Sequence, residues 1–348
     1  MPPAQNTIVI ATPIEADLIA QIRGVTGYEV LADSALVPAP RYPSDHRGKD
    51  GFVRDAPAQA RWNAWLGEAE ILLGIPGESP DQLADAVGRA PRLRWVQCMY
   101  AGAGEQVRNA KLSAADRERI AFTTSAGVHG STLAEFFFMG LLALRKDIRR
   151  LERTRTARFW DHWAMGELRG STLAIVGMGA IGRTIAQVAR AFGMRILAVT
   201  RDGAARDDAD ASFSTSRLSE AVAQADAVVL TLPGTPLTEK LISREVIAAM
   251  KRGAILGNVG RGSVVDQDAL IDALARGAIA GAVLDVFAPE PLPPDNPLWT
   301  MENVVFAPHT AALSDLENAR VVDLFCDNLA RFADGRPLRN RINPTEFY

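Results

Sequence analysis

LAIVGMGAIG, running from Leu173 to Gly182, sets three glycines at the junction between an apolar strand and a helix that continues to Phe192. Gly177 permits the tight turn, Gly179 lets the backbone approach a pyrophosphate, and Gly182 allows close packing of helix on strand. Ala180 and Ile181 open the helix, whose N-terminus supplies free N–H groups and the positive end of its dipole. The next strand, Met194 to Val199, ends in Val199-Thr200-Arg201-Asp202. An acidic residue at that strand end would hold the ribose 2′-hydroxyl of NAD. Thr200 and Arg201 suit a 2′-phosphate instead, because a guanidinium pairs with phosphate in two-pronged fashion. Asp202 falls one or two places late for the ribose role. NADP is therefore favoured over NAD.

Outward from this motif, short apolar runs alternate with segments of helical period, the pattern of a parallel sheet wrapped by helices. Strands are expected at Leu173 to Val176, Arg195 to Thr200, Ala227 to Leu232, Ala254 to Val259, Gly281 to Val286 and Val304 to Ala307. Helices are expected at Ala180 to Phe192, Leu218 to Gln224, Arg244 to Lys251 and Gln267 to Arg276, with Ser243 and Asp266 as N-caps. The first third yields strands at Thr7 to Ala11, Glu29 to Leu31, Ile71 to Gly74, Leu93 to Gln97 and Ile120 to Thr123, without a glycine-rich phosphate loop. Val37 to Pro57 is rich in Pro, Asp, Arg and Gly and lacks periodicity, so it reads as a long loop, disordered or covering a cleft. The helix Ser131 to Arg150 has an apolar centre, Phe136 to Leu144, that calls for burial within the molecule or against another subunit.

A chain of 348 residues predicts about two domains. With 48% hydrophobic and 23% charged residues it is globular, and its net charge of −3 gives no global positive field for a nucleic-acid backbone. The two cysteines, Cys98 and Cys326, form no CxxC pair, and the four histidines show no ligand spacing, so no metal site is expected. The N-terminus lacks a signal-peptide pattern, and the longest apolar run falls short of the about 20 residues of a membrane span. A cytoplasmic protein without membrane partners is expected.

Three strand ends carry chemistry. Asn258-Val259-Gly260-Arg261-Gly262 puts an Arg between two glycines, where it suits a substrate carboxylate. Leu284-Asp285-Val286-Phe287-Ala288-Pro289-Glu290-Pro291 fixes Glu290 between prolines, and Ala307-Pro308-His309-Thr310-Ala311 offers His309 as a general acid.

Together these signatures resemble the D-isomer-specific 2-hydroxyacid dehydrogenase family: NxxRGxxVD at Asn258 to Asp266, LDVFxxEP at Leu284 to Pro291 and PHxA at Pro308 to Ala311. Pro91 to Gln97 with Ala101 to Gly104 resembles the family's substrate loop. Ala134-Glu135 resembles its interdomain helix, Trp160 its usual aromatic, and Leu232 to Thr238 the cofactor loop after the third strand. Gly335-Arg336-Pro337-Leu338 matches its usual ending. Gly104 departs from the family's common Asp, and the Val37 to Pro57 loop extends its usual first domain.

The resemblance implies an α/β fold of two doubly wound domains. A Rossmann cofactor domain, residues 125–309, is inserted into a flavodoxin-like substrate domain, residues 1–124 and 310–348. It implies reduction of a small 2-oxoacid to the D-2-hydroxyacid, with glyoxylate and hydroxypyruvate as reasonable substrates. His309 acts as acid/base, Glu290 orients it, and Arg261 with the backbone of Ala101, Gly102 and Ala103 binds the carboxylate. Gly177, Gly179, Ala180, Ile181, Gly182, Thr200, Arg201, Leu232, Pro233, Thr238, Val259, Gly260, Arg261, Asp285 and His309 form the cofactor site, Asp285 facing the nicotinamide carboxamide. A homodimer through Ser131 to Arg150 is also implied. Two alternatives stand beside this. One is a dinucleotide-sensing binding protein like the co-repressors of this fold. The other is a same-fold dehydrogenase of a different donor, such as phosphite; formate dehydrogenases have Gln where Glu290 stands.

Overall fold

Runs of Val, Ile, Leu and Ala too short for helices become strands covered on both faces, as parallel sheets require. The computed structural model describes residues 6–25 and 27–345; the extreme ends of the expected substrate domain, 1–5 and 346–348, and Thr26 lie outside the described residues. The chain divides into two compact units, residues 1–128 with 313–348, and residues 129–312.

The first unit holds a five-stranded parallel sheet of β1 (Thr7–Ile10), β2 (Glu29–Leu31), β3 (Ile71–Leu73), β4 (Trp95–Gln97) and β5 (Ala121–Thr123), in the order β2-β1-β3-β4-β5. Ile8, Ile10, Leu73 and Trp95 point to one face, where the helices Ala16–Val25 and Glu317–Ala333 bring Ile22, Val321 and Phe325. The Trp95 and Phe325 rings stack at 5.0 Å. Val9, Leu72 and Val96 point to the other face, under Trp62 and Leu66 of the helix Ala56–Glu68 and Leu83 of the helix Pro80–Arg89. The closing helix is tied to the first one by polar contacts, Asn318 Nδ2 donating to Glu15 and Gln21 Nε2 to Asp323. The closing segment thus belongs to the same unit as the chain start.

Val37 to Asp55 contains no helix or strand, and it is held both by bonds of its own and by contacts with Thr12, Tyr100 and Ser314. Asp45 is buried and accepts from the amides of Arg41 (2.9 Å) and Gly48 (3.1 Å) and from Arg41 Nε (2.7 Å). His46 beside it is fully buried, its ring 5.4 Å from that of Tyr100.

The second unit holds a seven-stranded parallel sheet of β6 (Thr172–Val176), β7 (Arg195–Thr200), β8 (Ala211–Ser214), β9 (Ala227–Leu230), β10 (Ile255–Asn258), β11 (Gly281–Leu284) and β12 (Val304–Phe306). Its order is β12-β11-β10-β9-β6-β7-β8, so the parallel strands are added to one side of β6 up to β8 and to its other side from β9 on, and the carboxyl edge at that reversal is where doubly wound folds bind ligands. β8 is absent from the sequence expectation. It is an edge strand of sequence ASFS in which only Phe213 is buried, so it lacks the apolar run that marks the other six.

The apolar helix Gly130–Arg145 is a core helix of this unit. Leu133, Phe137, Phe138 and Leu141 are buried against the sheet. The approach is close: a Cβ on Gly257 would lie 2.5 Å from the Phe137 ring, and one on Gly140 2.5 Å from Val283.

Candidate active site

The three glycines of the opening motif have three different surroundings. Gly177 adopts φ +103, and Thr231 Oγ1 donates to its carbonyl at 2.6 Å. Gly182 faces that same Gly177 carbonyl so closely that a side chain is excluded. Gly179, the N-cap of the helix Ala180–Ala191, has nothing within 4 Å of where a Cβ would stand. An open backbone at the start of a three-turn helix, aimed out from the sheet's carboxyl edge, fits a dinucleotide pyrophosphate.

At the end of β7 the Asp202 carboxylate is engaged in its own turn. It accepts from Thr200 Oγ1 (3.0 Å) and the Ala204 amide (3.2 Å), bonds that hold it below the usual carboxylate range. Arg201 is exposed, and none of the ion pairs among the described residues includes it. After β9, Thr238 Oγ1 donates to the Pro233 carbonyl (2.7 Å) and accepts from the Thr235 amide (2.9 Å), closing the loop that Leu232 opens. Leu232 in turn abuts Gly260, where a Cβ would meet its carbonyl at 2.5 Å. Val259 is buried.

Arg261 is presented by Asn258, the last residue of β10. Asn258 is buried; its Nδ2 donates to the Arg261 carbonyl (2.9 Å) and its Oδ1 accepts from the Gly260 amide (3.1 Å). Gly262 lies against the Phe287 carbonyl with no room for a Cβ. The guanidinium donates to the Gly260 carbonyl (2.8 Å), and no carboxylate pairs with it among the described residues. It is a partly exposed cation on a fixed backbone, suited to an anionic reactant.

His309 and Glu290 meet through Nδ1 and Oε2 at 2.8 Å. Glu290 is itself held, its other oxygen accepting from the Phe287 amide at 2.9 Å. His309 stands in the left-handed region at φ +52, a conformation that costs a non-glycine residue on the order of 1–3 kcal/mol unless its surroundings enforce it. Asp285 enforces it: its carbonyl accepts from the His309 amide (2.8 Å), and Oδ1 accepts from the amides of Thr310 and Ala311 (2.9 Å each). Burial raises the pKa of Asp285 against the pull of these bonds. This anchoring role of Asp285 is not read from the sequence, because it depends on backbone amides about 25 residues away that the chain brings back only on folding.

Arg261, Asp285, Glu290 and His309 thus share one unit with the glycine loop, and Phe287 links the Arg261 and Glu290 segments. Ala101, Gly102 and Ala103 belong to the other unit. Ala101 and Gly102 are exposed in a turn after β4, and Ala103 is buried at the head of the helix Gly104–Asn109. Gly104 is the first residue of that helix and is buried. Among the described residues no group of three or more His, Cys, Asp or Glu is arranged to hold a metal, and no helix is long and apolar enough to cross a membrane.

Residues 138–311 match the family described as D-isomer specific 2-hydroxyacid dehydrogenase, NAD binding domain. The chain is 36% identical over 287 residues to a glyoxylate reductase of Aeropyrum pernix, covering 79% of this chain and 83% of that protein. It is 35% identical over 303 residues to glyoxylate/hydroxypyruvate reductase B of Yersinia pestis, covering 85% and 90%. A solved D-isomer specific 2-hydroxyacid dehydrogenase from Xanthobacter autotrophicus Py2, in complex with NADPH and MES, superposes with a TM-score of 0.76 at 28% identity, over 99% of this chain and 100% of that one. A glycine loop open to a dinucleotide, a His–Glu pair and an unpaired Arg on one sheet edge, with these likenesses across most of the chain, make this protein an NAD(P)-dependent dehydrogenase of the D-isomer specific 2-hydroxyacid dehydrogenase family.

Proposed function

We propose that this enzyme reduces a small 2-oxoacid, of the size of glyoxylate or hydroxypyruvate, to the D-2-hydroxyacid. The observation that carries the reading is the His309 Nδ1–Glu290 Oε2 contact on a backbone held by Asp285. It fixes the ring and leaves Nε2 as the nitrogen for a reactant. The reduced nicotinamide, when bound, supplies the hydride. His309 Nε2 gives the proton to the carbonyl oxygen, so one hydride and one proton convert C=O to CH–OH. Glu290 compensates the imidazolium charge before the transfer and holds the tautomer. Arg261 pairs with the carboxylate and polarises the carbonyl, as a fixed cation does best where charge develops.

Gly177, Gly179, Ala180, Ile181 and Gly182 receive the pyrophosphate. Leu232, Pro233, Thr238, Val259 and Gly260 would hold the nicotinamide half, and the second Asp285 oxygen would be an acceptor for its carboxamide. Arg201, free beside an engaged Asp202, favours NADP over NAD. Relatives named as glyoxylate and hydroxypyruvate reductases support the choice of substrate. A homodimer forms around the helix Gly130–Arg145 and the segment after it, where Phe159 and Trp160 are exposed apolar surface. Both cysteines are free, in keeping with a cytoplasmic site.

The test is a panel of 2-oxoacids with NADPH and with NADH, followed at the nicotinamide absorbance, with chiral analysis of the product. Turnover of glyoxylate or hydroxypyruvate is expected; no turnover of any 2-oxoacid, or an L-product from hydroxypyruvate, would overturn the reading.

A further inference from the structure

In the first unit, the run Pro38 to Arg54 faces Pro76 to Asp85, the segment after β3, across a cavity of about 690 Å³. That is the size of a small-molecule site and far larger than glyoxylate needs.

Arg54 is the fixed cation in its wall. Its Nε donates to the Leu36 carbonyl at 2.8 Å, and its guanidinium carbon lies 4.3 Å from the Trp62 ring centroid and 5.3 Å from that of Phe52. The two rings orient the guanidinium plane. Arg54 is half-buried, burial lowers its pKa, and no carboxylate among the described residues pairs with it. An anion in the cavity would supply the missing partner.

The neighbouring charges largely cancel. Arg47 pairs with Asp50 (2.9 Å) and Asp85 with Arg89 (2.8 Å). Lys49 and Asp81 stand on the rim with opposite signs. Glu78, with one carboxyl oxygen buried and unbonded, is pushed up to about 7 by burial, so near neutrality it is partly protonated and can donate a hydrogen bond. Among the lining residues Arg47, Lys49 and Arg54 stand against Asp50, Asp81, Asp85 and the partly protonated Glu78, and Arg54 is the guanidinium without an ion pair. One unpaired guanidinium among these acids fits a singly charged carboxylate and disfavours a doubly charged phosphate.

We propose that this cavity binds a carboxylate-bearing small molecule larger than glyoxylate, its carboxylate paired with the two terminal nitrogens of Arg54. Glu78 joins the cavity to the turn after β4: Gln106 Nε2 donates to the Glu78 carbonyl (3.2 Å) and Oε2 (2.7 Å), and Gln106 lies in the helix that follows Ala101 to Ala103. The carboxylate belongs to a small molecule bound within this unit, and the site stands whether or not the proposed reduction does.

Glutarate is titrated calorimetrically into the full-length protein, as wild type, R54Q and K49M, with NADPH saturating. Loss of a two-pronged ionic contact, worth about 1.5–3 kcal/mol, predicts binding weakened about 10- to 100-fold in R54Q. K49M replaces an exposed rim cation and serves as the variant that folds even where R54Q, which loses its Trp62 packing, does not; it is expected to weaken binding by about two- to fivefold. Equal affinity in all three proteins, or no binding to wild type, overturns the proposal. Glutarate bound together with glyoxylate identifies a separate molecule. Arg54-dependent binding without reduction of any 2-oxoacid leaves the site standing and removes the reductase reading; reduction without such binding does the reverse.

Discussion

His309 Nδ1 lies 2.8 Å from Glu290 Oε2, and each partner is fixed by a different stretch of the same strand end: the His309 amide by the Asp285 carbonyl, the Glu290 carboxylate by the Phe287 amide. The pair is therefore set from residues two positions apart on one segment. Removing the ring should lower kcat by about a hundredfold or more in H309A, the usual cost of losing a general acid. E290Q keeps the shape but not the charge, and is expected to lose less than H309A while still falling well below wild type. Single-turnover rates with NADPH and glyoxylate check both; a wild-type rate in either variant would exclude its role.

R261A removes the unpaired guanidinium and should reduce kcat/KM for 2-oxoacids by about 100-fold, the scale of one lost transition-state donor. For an aldehyde lacking the carboxylate the loss should be much smaller. Steady-state kinetics on the matched pair of substrates decides it: equal losses on both mean that Arg261 does not hold the carboxylate.

The proposed preference for NADPH assigns the 2′-phosphate to Arg201, since Asp202 is turned into its own loop. R201A is expected to lose about tenfold or more in kcat/KM for NADPH and little for NADH. A wild-type enzyme that prefers NADH would remove this assignment.

Glu78 supplies a pH signature. Its carboxyl is raised from 4.5 to about 7 by burial, with Gln106 opposing, and Cys98, Tyr100 and Gln106 are the groups that face it. A raised acid favours the folded protein while protonated, so stability falls as pH rises from the unfolded value through the folded one. The ceiling is about 3 kcal/mol for this displacement. E78Q should therefore melt above wild type near pH 8, with the gap closing near about pH 5. Melting curves at the two pH values test this; a gap that does not change with pH would place no titration at Glu78.

How much could be read in advance follows from how local each signal is. The glycine loop, the Asn258–Arg261 turn and the Glu290 and His309 strand ends are each encoded within a few residues, and six strands of the second sheet are continuous apolar runs. β8 escaped because an edge strand needs to bury only Phe213. The run from Val37 to Asp55 was legible as a loop. Its order was not: Asp45 and His46 are buried through Arg41, Gly48, Thr12 and Tyr100, some of them far away along the chain. The left-handed backbone of His309 was equally hidden, since Asp285 enforces it from 24 residues upstream.

The fit of Phe137 onto Gly257 bears on how this enzyme tolerates change. Gly257 precedes Asn258, the residue that sets the Arg261 turn, so the ring presses on the strand one residue from where the turn begins. A methyl group added at this buried spot would meet the ring at 2.5 Å, so either the ring or β10 must give, and any give in β10 falls one residue from the turn that presents the cation. The packing of the core helix and the backbone that carries Arg261 thus meet at one position, where a survey that scores folding alone would record only the first.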